Sequence, residues 1–245
     1  PVPLPGGARA IREPWRNLFA QLTTCLGWEQ VRAAWPDLAL TRYLATKPLA
    51  NLDTMMARGL NSPLTSSAGR LFDAVAAALG LCPDAISYEG QAAIELESLA
   101  VTAVARALAA GETYPFALIE AEGRWLLDPT PFWRRLLEDL AHPPRAPGAI
   151  AARFHLGLAQ AAAELALRLA TARGLDTVAL SGGVMQNKTL FEALARRLRD
   201  LGLRVLSQRQ VPANDGGLAL GQAVIAAASL IPTQPNPATL IPSSR

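Results

Sequence analysis

The chain is poor in the residues that build disulfide frameworks and metal fingers. Its two cysteines, Cys25 and Cys82, form no CxxC pair, which excludes a cystine-stapled fold and a zinc ribbon. Its two histidines, His142 and His155, have no second His or Cys at metal-ligand spacing. Aromatic residues make up 6% and are dispersed, too sparse for a base-stacking platform. No apolar run approaches the roughly 20 residues that span a bilayer, and the N-terminus carries no signal-peptide pattern. No Gly-Lys-Ser/Thr P-loop and no Gly-x-Ser-x-Gly nucleophile elbow occur, and neither cysteine has a local activating pattern. The expectation is a protein of the reducing cytoplasm, with neither nucleic acid nor membrane as partner.

What is present is apolar and helix-forming. Hydrophobic residues make up 51% of 245 and charged residues 18%, enough for one large domain or two small ones with real cores. The net charge is only +3, with arginines scattered among acids, so the basic pI describes a surface and not a nucleic-acid stripe. The chain opens Pro1-Val2-Pro3-Leu4-Pro5-Gly6-Gly7 without Met, and reads as a piece of something longer.

Apolar spacing predicts a helix from Ala10 to about Leu26 and short helices near 28–34 and 40–58. A loop covers Gly59 to Pro63, and a helix follows Ser66 or Ser67, whose hydroxyl can cap it, and ends at Gly80. Another helix runs from about Gly90 to Ala109. Glu122-Gly123 between two apolar segments predicts a β-hairpin. Helices at 131–141 and from Ala149 to Arg173 follow. The last third alternates: a strand at Thr177–Leu180, a helix at Asn187–Leu201, a strand at Leu203–Leu206 and a helix at Asp215–Leu230. This predicts an α/β fold with a short, partly parallel mixed sheet. Residues 1–110 form a mainly helical part, 111–231 an α/β lobe, and 232–245, rich in proline, an irregular tail.

Four segments carry possible chemistry. In Ser181-Gly182-Gly183-Val184-Met185-Gln186-Asn187, paired glycines stand between a strand and a helix N-terminus, a geometry that suits a phosphate or simply a tight turn. In Asn214-Asp215-Gly216-Gly217, Asp215 either caps a helix or binds a metal or polar ligand, and Asn214 could share either role. Asp73 lies among apolar neighbours and needs a partner. That partner is Arg70, one turn earlier, or a pair of ligand hydroxyls. Glu89 and Gly90 stand at another helix entrance, as a cap or as part of a pocket. His155, alone on a long helix, reads as a hydrogen-bonded structural residue.

Taken in order, these segments resemble one family. Arg12-Glu13-Pro14-Trp15-Arg16, Thr65 to Ala76 (TSSAGRLFDAVA), Ser87 to Glu97 (SYEGQAAIELE), Ser181 to Asn187 (SGGVMQN) and Pro212 to Gln222 (PANDGGLALGQ) are similar to the successive motifs of HypF-type carbamoyltransferases. The likeness covers residues 1–230 and implies the C-terminal part of the TsaD-like region of such a protein. The implied fold is actin/hexokinase-like (ASKHA), with two lobes closing on a nucleotide and a helical insertion in this one.

The resemblance implies a carbamoyl group carried from carbamoyl phosphate through carbamoyl-adenylate, made with ATP, to the C-terminal cysteine of a HypE-like acceptor. That group becomes the cyanide ligand of NiFe hydrogenases. It implies that Gly182, Gly183 and Asn187 approach the nucleotide, that Asp73 holds the ribose, and that Gly90 and Glu89 line the same pocket. Asp215, in preference to Asn214, would be one ligand of a divalent metal, Zn or Fe, shared with histidines outside this chain. No residue here is implied as catalytic by itself, and the chain alone should be inactive and prone to self-association. Alternatives are an antibiotic- or tRNA-type carbamoyltransferase of the same fold, disfavoured by Tyr88-Glu89-Gly90-Gln91, and a non-catalytic docking fragment.

Overall fold

The structure is a computed structural model that describes residues 1–141 and 143–230. His142 and the tail at 232–245 lie outside the described residues. Residues 1–110 hold β1 (Val2–Pro3), α1 (Ala8–Arg12), α2 (Pro14–Leu26), α3 (Trp28–Ala34), α4 (Ala39–Ala45), α5 (Leu49–Ala57), β2 (Leu64–Thr65), α6 (Ala68–Ala78) and α7 (Gln91–Ala109). Then come β3 (Ala117–Ala121), β4 (Arg124–Asp128), α8 (Thr130–Ala141), α9 (Pro147–Arg173), β5 (Thr177–Leu180), α10 (Lys188–Asp200), β6 (Arg204–Ser207) and α11 (Leu218–Leu230). The fold is α/β, as its sequence implies, but the expected mixed sheet is replaced by three separate pairs: β1–β2 and β3–β4 antiparallel, β5–β6 parallel.

Most departures from the sequence reading have a local cause. The helix expected from Ala10 to Leu26 breaks at Glu13, because Pro14 has no N–H to continue α1 and instead starts α2 at its first position. Pro48 likewise separates α4 from α5. The small β1–β2 ladder joins the opening segment to Leu64–Thr65, a pairing too short to leave an alternating pattern. Ser67 does stand at the N-cap of α6, but its hydroxyl makes no capping bond; Thr65 Oγ1 accepts from the Ser67 amide instead. The hairpin turns where expected, with Glu122 and Gly123 both at positive φ, the two-residue arrangement that matches strand twist.

The packing centres on α9. Ile150, Phe154, Leu158 and Ala161 fall three or four residues apart and are buried, and the buried His155 extends that face. Helices α7, α8 and α10 and strands β3, β4 and β5 all pack against it. Aromatics that are scattered in sequence converge there: Phe132 stacks on Phe116 with ring centroids 5.2 Å apart, and Phe72 meets Phe154 edge-on at 4.9 Å. One hydrophobic core runs through both sides of residue 110, since α7 lies along α9.

Two hydrogen bonds hold the segment after α7, one to α9 and one to α8. Tyr114 N–H donates to the Arg153 carbonyl at 3.2 Å, and Tyr114 O–H donates to Asp139 at 2.8 Å. Asp139 is buried and also ion-paired with Arg153, with Arg145 at 3.2 Å and with Arg135 at 3.5 Å. Such a carboxylate is tolerable inside only because its oxygens are fully engaged. Burial and the neighbouring carboxylate push the Tyr114 phenol well above its usual value, so it stays protonated and remains a donor.

Gly157 permits the close approach: a Cβ there would lie 2.3 Å from the Tyr114 carbonyl oxygen, an impossible contact with backbone. Gly157→Ala should therefore cost about 2–4 kcal/mol, more than the helix-propensity gain of roughly 1 kcal/mol can offset. Urea denaturation read by circular dichroism checks this; equal or greater stability would contradict the packing described.

Candidate functional site

Three of the four singled-out segments meet at one end of the molecule. Strand β5 ends at Leu180, and the chain turns through Ser181 and Gly182 into a short 3₁₀ helix, Gly183–Gln186. Gly182 has φ 102°, open only to glycine without strain, and its N–H donates to the Ala213 carbonyl at 2.8 Å. Ser181 Oγ accepts from Gln208 Nε2 at 2.8 Å. A Cβ on Gly183 would stand 3.9 Å from that of Asn214, and one on Gly69 would stand 3.9 Å from Val184 Cγ2. The turns at 66–70, 181–187 and 211–217 thus form one continuous wall.

Beside this wall lies an open concavity of about 340 Å³, lined among others by Ser181, Gly182, Asn214, Asp215, Leu218 and Gln222. Asn214 caps the second 3₁₀ turn, Asp215–Gly217, by accepting from Gly216 N–H at 3.1 Å. The Asn214 oxygen is thereby engaged in backbone geometry, while Asp215 is exposed at the rim. The expected helix at Asp215–Leu230 is this 3₁₀ turn followed by α11.

The amides that open α10 are not available in the way the sequence suggests. A phosphate was the natural guest for that helix end. The structure fills it from within: Glu97 Oε1, from α7, accepts from Thr189 N–H at 2.7 Å, and Asn187 Oδ1 accepts from Leu190 N–H at 2.8 Å. The other end of the Asn187 amide, Nδ2, stands 3.0 Å from His155 Nε2. His155 Nδ1 lies 2.8 Å from the Ala151 carbonyl, which requires the proton on Nδ1 and leaves Nε2 as the acceptor. Burial holds the imidazole below its ordinary pKa, with Glu97 acting the other way, so the ring is neutral. Asn187 is 9% exposed and faces inward, not toward the concavity.

Asp73 is turned inward too, at 2% exposure on α6. Arg70 Nη1 lies 2.8 Å from its Oδ2, a contact of charges without the alignment of a hydrogen bond. Arg70, one of the two partners the sequence leaves open, stands beside Asp73. Burial pushes the Asp73 carboxyl up to about 6, and the Arg70 guanidinium pulls weakly the other way. The resemblance implies ribose contact by Asp73 and nucleotide contact by Asn187; here both side chains are largely buried, Asp73 beside Arg70 and Asn187 bonded to Leu190 N–H and His155. Glu89 is exposed and Gly90 takes the left-handed conformation that starts α7. Among the described residues, no hydrogen bond or ion pair joins them to the wall. Their motif reaches it further along, through Glu97.

Sequence reasoning missed Glu97 as a cap because its target, Thr189, is 92 residues away. It missed the Asp139 cluster for the same reason. Among the described residues no three His, Cys, Asp or Glu side chains converge on a possible metal site. Asp215 fits only as a single exposed ligand completed by groups from elsewhere. Among the described residues no helix is long and apolar enough to cross a membrane.

A sequence profile described as "Carbamoyltransferase, Kae1-like Domain, second subdomain" matches residues 1–222. The chain belongs to the HypF carbamoyltransferase family. It is 44% identical over 230 residues to the carbamoyltransferase HypF of Rhodobacter capsulatus, covering 94% of this chain and 28% of that protein. It is 43% identical over 225 residues to HypF of Rhizobium leguminosarum bv. viciae, covering 91% and 26%. The crystal structure of a full-length HypF in the phosphate- and nucleotide-bound form superposes with TM-score 0.77 at 32% identity, covering 95% of this chain and 28% of that one. HypF of T. kodakarensis gives 0.76 at 27% identity, covering 94% and 29%. The chain thus spans little more than a quarter of these relatives.

The raised Asp73 value has a thermodynamic consequence. The native carboxyl holds its proton to higher pH than the unfolded one, so this group's stabilisation is complete below its ordinary value of 3.8 and is lost as pH rises to about 6. The wild type should lose roughly 2–3 kcal/mol across that window relative to Asp73→Asn, at about 1.4 kcal/mol per unit. Urea melts of both proteins between those limits measure it; parallel pH profiles would contradict the buried placement of Asp73.

Proposed function

We propose that this chain is the second half of the transferase site of a HypF-type protein, and that the wall built by 66–70, 181–187 and 211–217 faces a nucleotide. The observation that carries the reading is the convergence of three sequence-distant turns beside one open concavity. A relative whose structure is described as phosphate- and nucleotide-bound supports it. In this reading ATP, and carbamoyl-adenylate made from it and carbamoyl phosphate, sit against Gly182 and Gly183. The amides of Gly183 and Val184, the first of a 3₁₀ helix and so without partners inside it, are the donors that meet phosphate oxygens. Asp73 acts through Arg70, and Asn187 acts by fixing the turn. Gly90 and Glu89 are at the pocket's margin.

The carbamoyl group then goes to the C-terminal cysteine of a HypE-like acceptor, in the cytoplasm, toward the cyanide ligands of a NiFe hydrogenase. Asp215 would be one ligand of a divalent metal, Zn or Fe, with histidines from outside the chain. That ion would offset the phosphate charge when bound. The actin/hexokinase-like pairing of two lobes accounts for an otherwise odd feature. Helix α11 is apolar along its length yet exposed, with Ile225 at 72%, a surface that a first lobe or a second copy would cover.

Calorimetric titration with ATP tests the placement, using Gly183→Val beside the wild type. Gly183 is not at positive φ, and a Cβ there meets only Asn214, so the variant should fold normally. It should bind ATP at least about tenfold more weakly, because its branched side chain stands over the turn's amides. Equal affinity of the two proteins contradicts the placement. So does the absence of ATP binding by both the folded chain and the chain joined to a first subdomain.

A further inference from the structure

His155 lies outside every segment that the resemblance marks, yet it is the fully buried partner of one of them. The ring sits on α9 with four kinds of neighbour. Its own helix supplies the Ala151 carbonyl, α6 the edge of Phe72 at 5.2 Å between centroids, α10 the Asn187 amide, and α7 the Glu97 carboxylate. Asn187 is where the Gly182–Gln186 turn becomes α10, so whatever orients its amide orients the exit of that turn. With Nε2 accepting from Nδ2, the Asn187 oxygen has to face Leu190 N–H; rotated by half a turn, the amide would set its oxygen against a lone pair and lose the cap.

We propose that His155 is a positioning residue for the nucleotide-facing turn: as a neutral acceptor it locks the Asn187 amide, and Asn187 locks the turn. This rests on the proposed function only for what the turn binds. The coupling itself is a statement about hydrogen bonds. Protonation of Nε2 would place two donors face to face, so the lock requires a neutral ring. Glu97, the ionisable group acting on the ring from another element, is itself engaged by Thr189 N–H.

The test reads the coupling without nucleotide. Amide hydrogen exchange at Leu190, followed by NMR, is compared in the wild type, His155→Phe and His155→Gln. Phenylalanine keeps the ring and removes the acceptor; glutamine sets an oxygen close to where Nε2 stands. Leu190 protection should fall about tenfold in His155→Phe and return to within about threefold of wild type in His155→Gln, consistent with one buried hydrogen bond. Unchanged protection in His155→Phe overturns the proposal.

Should His155→Phe not fold, Asn187→Asp decides, because aspartate caps Leu190 equally well but has no proton for Nε2. Imidazole nitrogen shifts should report a ring protonated only at Nδ1 in the wild type and at both nitrogens in Asn187→Asp near neutral pH. The same ring state in both proteins overturns the proposal. ATP titration of the exchange variants separates the two readings. A wild type that ignores ATP both alone and joined to a first subdomain contradicts the nucleotide assignment and leaves the exchange result to judge His155.

Discussion

The start of α10 is partly buried, at Asn187 and Leu190, and an amide there that found no acceptor would cost about 1–3 kcal/mol. Two other helices and the local cap meet that demand. Glu97 comes from α7 and brings a negative charge to the positive end of the helix. Asn187 supplies the local cap, and His155 from α9 holds Asn187 in the orientation that caps. Because α7, α9 and α10 are thereby tied at one point, the loop entering α10 has little freedom. The glycine-rich turn is presented on a rigid base, a requirement for any ligand held to sub-ångström tolerance.

That economy explains why some of the molecule is readable from its residues and some is not. Local rules locate the hairpin at Glu122-Gly123, the ends of α6 and α9 at Gly80 and Gly174, and the strand, turn and helix of 177–201. The ordered motifs lead to the family. What local rules miss are contacts between distant residues: Glu97 with Thr189, Tyr114 with Asp139, and the β1–β2 pair. The direction of a side chain is equally hidden. Asp73 and Asn187 are both largely buried, which no motif states, and a motif alone does not distinguish a residue that touches a ligand from one that supports its neighbours.

Several exposed features lie near the proposed site. A lone pair of parallel strands is marginal without further strands or cover, and β5–β6 is such a pair among the described residues. Leu206 is 47% exposed on it, and α11 presents an apolar surface beside the concavity. Asp215 is exposed at the rim, and among the described residues no cluster of three metal-ligating side chains includes it. These features cluster on one face, next to the wall formed by the three turns. They agree with a chain that matches about a quarter of its relatives' length and a profile for a second subdomain.

The central claim is that the wall of three turns is where a nucleotide lies. Photolabelling with 8-azido-ATP, with the modified peptides mapped by mass spectrometry, addresses it most directly. The account predicts adducts within 181–187 and 211–222, suppressed by excess ATP. Adducts confined to the outer face of α7, around Ile94, Val101 and Leu108, or to the β3–β4 hairpin would contradict it.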